Sequence, residues 1–184
     1  MRKWTMMRVP VARVRFRGDA MYRSVDEALR HVYKLWGVRI EPQNNTAQVM
    51  DWIERKGARG GGSGLTQHEW HANSAMIIKQ VECILNRYEL AAVELHYTGG
   101  LKADGIIDLT AFIEQQNKGV NIFICEALIF HIFSNLKQEA IQDKYDVNRQ
   151  YVWRQKRKVN AIVNALLNSA WAKLEIEFEQ RKII

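Results

Sequence analysis

The sequence predicts an all-α protein. Among its 184 residues only Pro10 and Pro42 are proline, so most of the chain lacks the residue that breaks helices most strongly. Apolar residues in this part recur mainly three and four positions apart, which is helical spacing. Hydrophobic residues make up 47% of the chain, enough to bury a core. A strand-like alternation occurs from Val9 to Phe16, but it is too short to predict a sheet.

Two helices are predicted before a glycine-rich segment. Ser24 and Glu27 have the spacing of a capping box, which begins a helix at Val25 that runs to Trp36. Gly37 can provide its left-handed C-terminal cap. A shorter helix is expected from about Thr46 to Arg55.

The glycine-rich segment divides the chain. Residues 57–64 contain five glycines in eight positions, a composition typical of a flexible linker. A phosphate-binding P-loop would need Lys-Ser or Lys-Thr after its last glycine, and neither follows here. We therefore predict an N-terminal basic arm with two helices at 1–56, the linker at 57–64 and a helical domain at 65–184.

The helical domain begins with the clearest amphipathic pattern in the chain. Thr66 and Glu69 form another capping-box pattern, and the apolar residues that follow share one face for about six turns, as far as Tyr88. Three shorter helices are expected next: Leu90 to Tyr97, Asp108 to Gln116, and Ile122 to Phe133 with Asn121 as its cap.

Positive charge is concentrated in two segments. The formal net charge is +7, but the first 17 residues alone carry +6, and residues 144–158 carry +5 from six basic residues and one acidic. The remainder of the chain therefore sums to −4. This placement indicates a polyanionic partner more strongly than the total does. A solvated basic face on an amphipathic helix remains the alternative interpretation.

The second basic segment fits a helix-turn-helix at about 137–158. A first helix of about Lys137 to Tyr145 is followed by a turn at Asp146. Val147 then fills the gap between the helices, and Asn148 caps a second helix that continues to about Glu179.

The start of this second helix carries the residue types that read DNA. Arginine can bind guanine through two hydrogen bonds, asparagine and glutamine can bind adenine, and lysine and arginine contact phosphates. The predicted outward residues are Asn148, Arg149, Gln150, Trp153, Arg154 and Arg157, and the predicted phosphate contacts are Lys144, Lys156, Arg157 and Lys158.

A resemblance to a known family supports this interpretation. The segment AlaIleGlnAspLysTyrAspValAsnArgGlnTyrValTrpArg resembles the helix-turn-helix of bacterial regulators, although it has Asp146 where their turn has glycine and Gln142 where they have a small residue. Over about residues 64–175, the layout is similar to prophage-encoded late-gene regulators of the antitermination Q type, with sigma-region-4-like helices. The resemblance implies that four residues lie against the major groove: Asn148, Arg149, Gln150 and Arg154.

From pattern and resemblance together we expect a prophage transcription regulator that binds specific double-stranded DNA. The alternative is an antitermination or sigma-like adaptor that binds RNA polymerase and contacts DNA mainly nonspecifically. The apolar stripe after Val159 can pack on its own domain or on a second copy, which would make a homodimer.

Other chemistry is weakly represented in the sequence. His68 and His71 are three apart, whereas the metalloprotease pattern places its histidines four apart, so we expect no metal site. Cys83 and Cys125 lie in apolar stretches and are expected in the core. We predict no enzyme activity and no cofactor. The absence of a long apolar run and of a signal-peptide pattern leads us to expect a cytoplasmic protein of the bacterial host with no membrane partner.

Overall fold

The computed structural model describes residues 21–36, 67–116, 119–134 and 137–184. Several predictions therefore lie outside the described residues. These are the strand-like stretch at 9–16, the basic arm, the cap at Gly37, the helix at 46–55, the linker at 57–64 and the cap at Thr66.

The described part of the chain is all-helical, with seven helices and no strand, which confirms the predicted fold class. The helices predicted at 25–36 and 122–133 have their predicted bounds, and the two helices of the basic segment agree within one residue. The helices are α1 (Val25–Trp36), α2 (Gln67–Ile84), α3 (Arg87–Thr98), α4 (Ala103–Gln115), α5 (Ile122–Phe133), α6 (Gln138–Tyr145) and α7 (Arg149–Gln180).

The cap of α1 differs in one bond from the predicted capping box. The backbone N–H of Glu27 donates to Ser24 Oγ at 3.1 Å, as expected. The Glu27 carboxylate, however, accepts from the N–H of Arg23 at 2.9 Å rather than from Ser24 itself. Both bonds still satisfy backbone donors at the start of the helix.

The predicted six-turn helix ends one turn early, so that prediction was wrong at its C-terminal end. α2 stops at Ile84, and Tyr88 belongs to α3. Asn86 causes the break, because its side chain accepts from the N–H groups of Tyr88 and Glu89 at 3.0 and 2.8 Å. Glu89 Oε2 accepts from the Asn86 N–H in return, which completes a capping box.

α4 begins five residues before the predicted start at Asp108, and it contains a glycine that does not interrupt it. Gly105 is buried where α4 packs on α3, and a Cβ atom there would lie 3.1 Å from Leu95 Cγ. The missing side chain lets the two helices approach closely. Gly99 ends α3 in the left-handed conformation (φ 66°).

α7 is the central element of the fold. Its 32 residues correspond to a length of about 48 Å, and it packs against five of the other described helices. The apolar stripe after Val159 faces this interior, with Val163, Ala170 and Leu174 fully buried. The stripe therefore packs on its own domain. It does not support the alternative prediction, in which the stripe packs on a second copy to form a homodimer.

An ion pair with a buried carboxylate joins α3 to the C-terminal half of α7. Glu89 is 3% exposed and accepts hydrogen bonds from Lys173 Nζ at 2.7 and 2.8 Å and from Ser169 Oγ at 2.7 Å. Burial by itself would raise the pKa of Glu89, but the bonds from Lys173, Ser169 and the Asn86 N–H outweigh burial and leave the pKa below its ordinary 4.5. Glu89 therefore serves both as part of the α3 cap and as the ionic anchor of α7.

Within the described residues, no helix is both long and apolar enough to cross a membrane.

Candidate nucleic-acid interface

A three-residue turn connects α6 to α7. Asp146 adopts the left-handed conformation (φ 48°, ψ 50°), and the N–H of Val147 donates to Gln142 O at 3.2 Å. Asn148 Oδ1 accepts from the N–H of Gln150 at 2.9 Å, so Asn148 is the N-terminal cap of α7. The structure confirms the predicted places of the turn and of this cap.

The two helices around the turn pack through the residues expected to face inward. Ile141 is 2% exposed and Val152 is fully buried, while Val147 is partly buried against the same core. The long side chain of Gln142 does not separate the helices. Its amide donates to Gln138 O at 3.4 Å within α6, so the side chain lies along its own helix.

The predicted outward residues of α7 are exposed. Trp153 is an unusual member of this set, because half of a large indole remains accessible to solvent (50%). The exposed residues are Asn148, Arg149, Gln150, Trp153, Arg154 and Arg157.

Three predicted phosphate-binding lysines also contact the protein itself. Lys156 Nζ lies 2.9 Å from His131 Nε2, and Lys158 Nζ donates to Gly119 O at 2.8 Å. Lys144 Nζ lies over the ring of Tyr145, 5.2 Å from its centroid. Each ammonium group has three N–H donors, so these contacts leave donors available while they restrict the side chains.

Tyr151 and Gln155, neither of which was a predicted site residue, fix α7 against the start of α5. The N–H of Asn121 donates to Gln155 Oε1 at 3.3 Å, and Asn121 Nδ2 donates to the Tyr151 hydroxyl at 3.0 Å. Gln155 is only 8% exposed. Its position three residues after Val152, on the inward face, was the signal for this role, because a buried amide needs a hydrogen-bond partner.

The charge around α7 is asymmetric. Residues 147–174 contain no acidic residue, and the first turn of α7 also lacks one, so the positive end of the helix dipole is not neutralised there. In contrast, α6 and the turn carry three exposed acidic residues, Glu139, Asp143 and Asp146, against the single Lys144. Positive potential is therefore expected to be strongest at Arg154 and beyond, away from α6.

A shallow open hollow lies on this basic face. It has a volume of about 520 Å³ and is lined by Trp153, Arg154, Arg157, Lys158 and Ala161. Cζ of Arg157 lies over the Trp153 ring, 5.7 Å from its centroid, which is within the range of a cation–π contact. We call the set Trp153, Arg154, Arg157 and Lys158 the tryptophan–arginine patch. It combines an aromatic surface with three cationic side chains.

The two cysteines have different environments. Cys125 is buried, and burial raises the pKa of its thiol to about 11, which fits the predicted core role. Cys83 is exposed, so the prediction that it lies in the core was wrong. It stands two residues after the buried Val81, and two residues turn a helix by about 200°, which places Cys83 on the opposite face.

The described residues do not assemble a metal site. They contain no group of three or more histidine, cysteine, aspartate or glutamate side chains with suitable geometry. Of the two histidines considered from the sequence, the His68 side chain lies outside the described set. His71 is partly buried, and its Nε2 has no hydrogen-bond partner among the described residues.

Comparison with known proteins adds no family to these observations. A scan against protein-family models gave no match, and a search of curated proteins found no significant similarity.

Proposed function

We propose that this protein binds double-stranded DNA through the exposed start of α7 and acts as a transcription regulator, as the resemblance to prophage regulators implies. The observation that carries the proposal is the uninterrupted basic face of α7, where exposed Arg149, Arg154 and Arg157 stand on a helix with no acidic residue before Glu175. Arginine-rich helix starts of this kind contact phosphates and base edges in the major groove.

The fixed position of the start of α7 supports the same proposal. Asn148 caps the helix, and the Lys158–Gly119 and Asn121–Tyr151 hydrogen bonds hold its outer turns against the neighbouring loop. Side chains on a fixed helix lose less conformational entropy when they bind than side chains on a loose arm. The proposed base-contacting residues are Asn148, Arg149, Gln150 and Arg154, and the proposed phosphate contacts are Lys144, Lys156, Arg157 and Lys158.

The alternative function is an adaptor that binds RNA polymerase and touches DNA mainly nonspecifically. The exposure of Phe123, 85% accessible at the start of α5, favours a protein contact beside the basic face. Asn121, two residues earlier, is hydrogen-bonded to Tyr151 of α7, so such a contact would adjoin the proposed DNA surface.

Binding to native upstream DNA and to random DNA of equal length, each at two salt concentrations, tests the proposal. A sequence-specific regulator binds its site about a thousandfold or more tightly than random DNA, and Arg149→Ala or Arg154→Ala reduces the specific affinity by about 1–3 kcal/mol. Lys79→Ala, which removes an exposed lysine of α2, is the matched control and should bind as the parent does.

Two results would distinguish the functions. Equal DNA affinity of the parent and both arginine variants would show that the start of α7 does not bind DNA. Weak binding of the parent to all sequences, together with co-elution with RNA polymerase that Phe123→Ala abolishes, would favour the adaptor.

A further inference from the structure

The indole of Trp153 has no evident partner on an intact DNA duplex. In a paired helix the base faces are stacked on each other, and a protein in the groove meets only their edges. Guanidinium and amide groups suit those edges because they exchange hydrogen bonds with them. An indole offers a broad flat surface, which the face of an unpaired base can cover by stacking.

The surroundings of Trp153 match what a single unpaired nucleotide offers. Cζ of Arg157 already lies 5.7 Å from the centroid of the Trp153 ring, and Arg154 and Lys158 line the same hollow, so the patch sets three cations around one half-exposed indole. Proteins that bind single strands combine these parts: an aromatic ring stacks with a base, and nearby cations contact the flanking phosphates.

Among the described residues around the hollow, Trp153 is the one whose ring is available to stack on a base. Tyr151 is partly buried, and its hydroxyl accepts from Asn121, so its ring is committed to the α5 contact. Ala161, two turns after Trp153 on the same side of α7, has only a methyl group, which keeps that end of the hollow open. The acidic side chains of α6 lie at the opposite end of the basic face, beyond the helix start.

We propose that the tryptophan–arginine patch binds an unpaired base of DNA, with the base stacked on Trp153 and its phosphates held by Arg154, Arg157 and Lys158. This inference rests on the proposed function, since it concerns the same face of α7, and it specifies the form of DNA that the face prefers. A strand opened within a duplex offers a base to Trp153 while the paired flank still contacts Arg149 and the helix start.

The test compares three labelled DNAs of identical sequence: a full duplex, the same duplex with a central unpaired bubble, and the single strand. By fluorescence anisotropy we expect the parent protein to bind the bubble about tenfold more tightly than the duplex, the usual effect of one base stacked on an aromatic ring. Trp153→Ala should remove this preference, so that bubble and duplex bind equally, whereas Trp153→Phe should keep most of it. Trp36→Ala, which removes another half-exposed indole from α1, is the matched control and should change neither affinity.

The outcomes separate this inference from the proposed function. Equal affinity of the parent for bubble and duplex, or an equal loss on both DNAs in Trp153→Ala, would overturn the unpaired-base proposal while the DNA-binding function stands. Failure of the parent to bind any of the three DNAs would overturn both. A matching RNA strand bound far more tightly than the DNA strand, with the same dependence on Trp153, would show that the patch recognises RNA instead. Equal thermal unfolding of the parent and the Trp153 variants excludes misfolding as the cause.

Discussion

Replacement of Lys173 by methionine should destabilise the protein by leaving the Glu89 carboxylate buried without its cation. Glu89 is 3% exposed and receives two of its hydrogen bonds from Lys173. Removal of one partner from a fully buried ion pair costs about 3–5 kcal/mol. Lys173 is 46% exposed, so solvent screens the pair, and we expect the free energy of unfolding to fall by about 2 kcal/mol.

The assay is urea unfolding at neutral pH, followed by circular dichroism. Lys79→Met, at an exposed position on α2, is the control and should change stability by less than about 0.5 kcal/mol. The double variant Glu89→Gln/Lys173→Met carries no buried charge and should be more stable than Lys173→Met alone. With the single Glu89→Gln variant, these proteins complete a double-mutant cycle, and non-additivity in that cycle identifies a direct coupling between the two residues.

The pH dependence gives a second readout. Because the pKa of Glu89 is lowered in the folded protein, its ionised form contributes stability above its ordinary pKa of 4.5, and this contribution is lost as the pH falls through the lower folded value. In Lys173→Met this loss on acidification should be smaller. An unfolding free energy within about 0.5 kcal/mol of the parent, with an unchanged acid profile, would refute the account of this ion pair.

Three further predictions concern individual residues. Gly105→Ala should lower the free energy of unfolding by about 1 kcal/mol. The new Cβ would lie 3.1 Å from Leu95, and the cost of this crowding should exceed the gain in helix propensity. A higher stability in urea unfolding would contradict the close approach of α3 and α4. Cys83 should react readily with a thiol reagent in the folded protein at pH 8, while buried Cys125, with its pKa raised to about 11, should react only on unfolding; equal rates, or no fast phase lost in Cys83→Ser, would contradict this assignment. Asp146→Val should destabilise the protein by about 2 kcal/mol, because a β-branched residue fits the left-handed conformation poorly, whereas Asp146→Gly should stay within about 1 kcal/mol of the parent. Equal thermal stability of the two variants would disprove the account of this turn.

The sequence predicted the helices whose ends carry strong local signals. Asn121 precedes a strongly apolar run and Asn148 an amphipathic one, and both are N-terminal caps in the structure. The long apolar stripe of α7 was likewise visible from its spacing. Local hydrogen bonds and helical periodicity determine these features, and both depend on residues that are close together in the sequence.

The errors arise where tertiary packing or an overlooked cap determines the outcome. The break at Asn86 was missed because the apolar spacing continues across it, although Asn86 and Glu89 together carry a capping-box signal. The early start of α4 is not predictable from helix propensity, because Gly105 is a poor helix former and its place in a helix depends on contact with Leu95. Cys83 was placed in the core from its apolar neighbours, whereas the face of the helix decides its exposure.

The candidate site was predictable in its residues but not in its contacts. Charge and periodicity identify Arg149, Arg154 and Arg157 as outward basic residues of one helix. They do not show that Lys156 meets His131 or that Lys158 meets Gly119, since those partners lie 25 and 39 residues away in sequence. Such long-range contacts depend on how α5 and its preceding loop pack on α7.

The salt dependence of duplex DNA binding tests the central claim most directly. Each phosphate contact contributes about 0.9 to the slope of log K against log salt concentration. Arg154→Gln should therefore reduce the slope by about 1, while Lys79→Gln, which removes the same charge from α2, should leave it unchanged. Equal slopes for the parent and Arg154→Gln, or an equal reduction in both variants, would show that the start of α7 is not the DNA-binding surface.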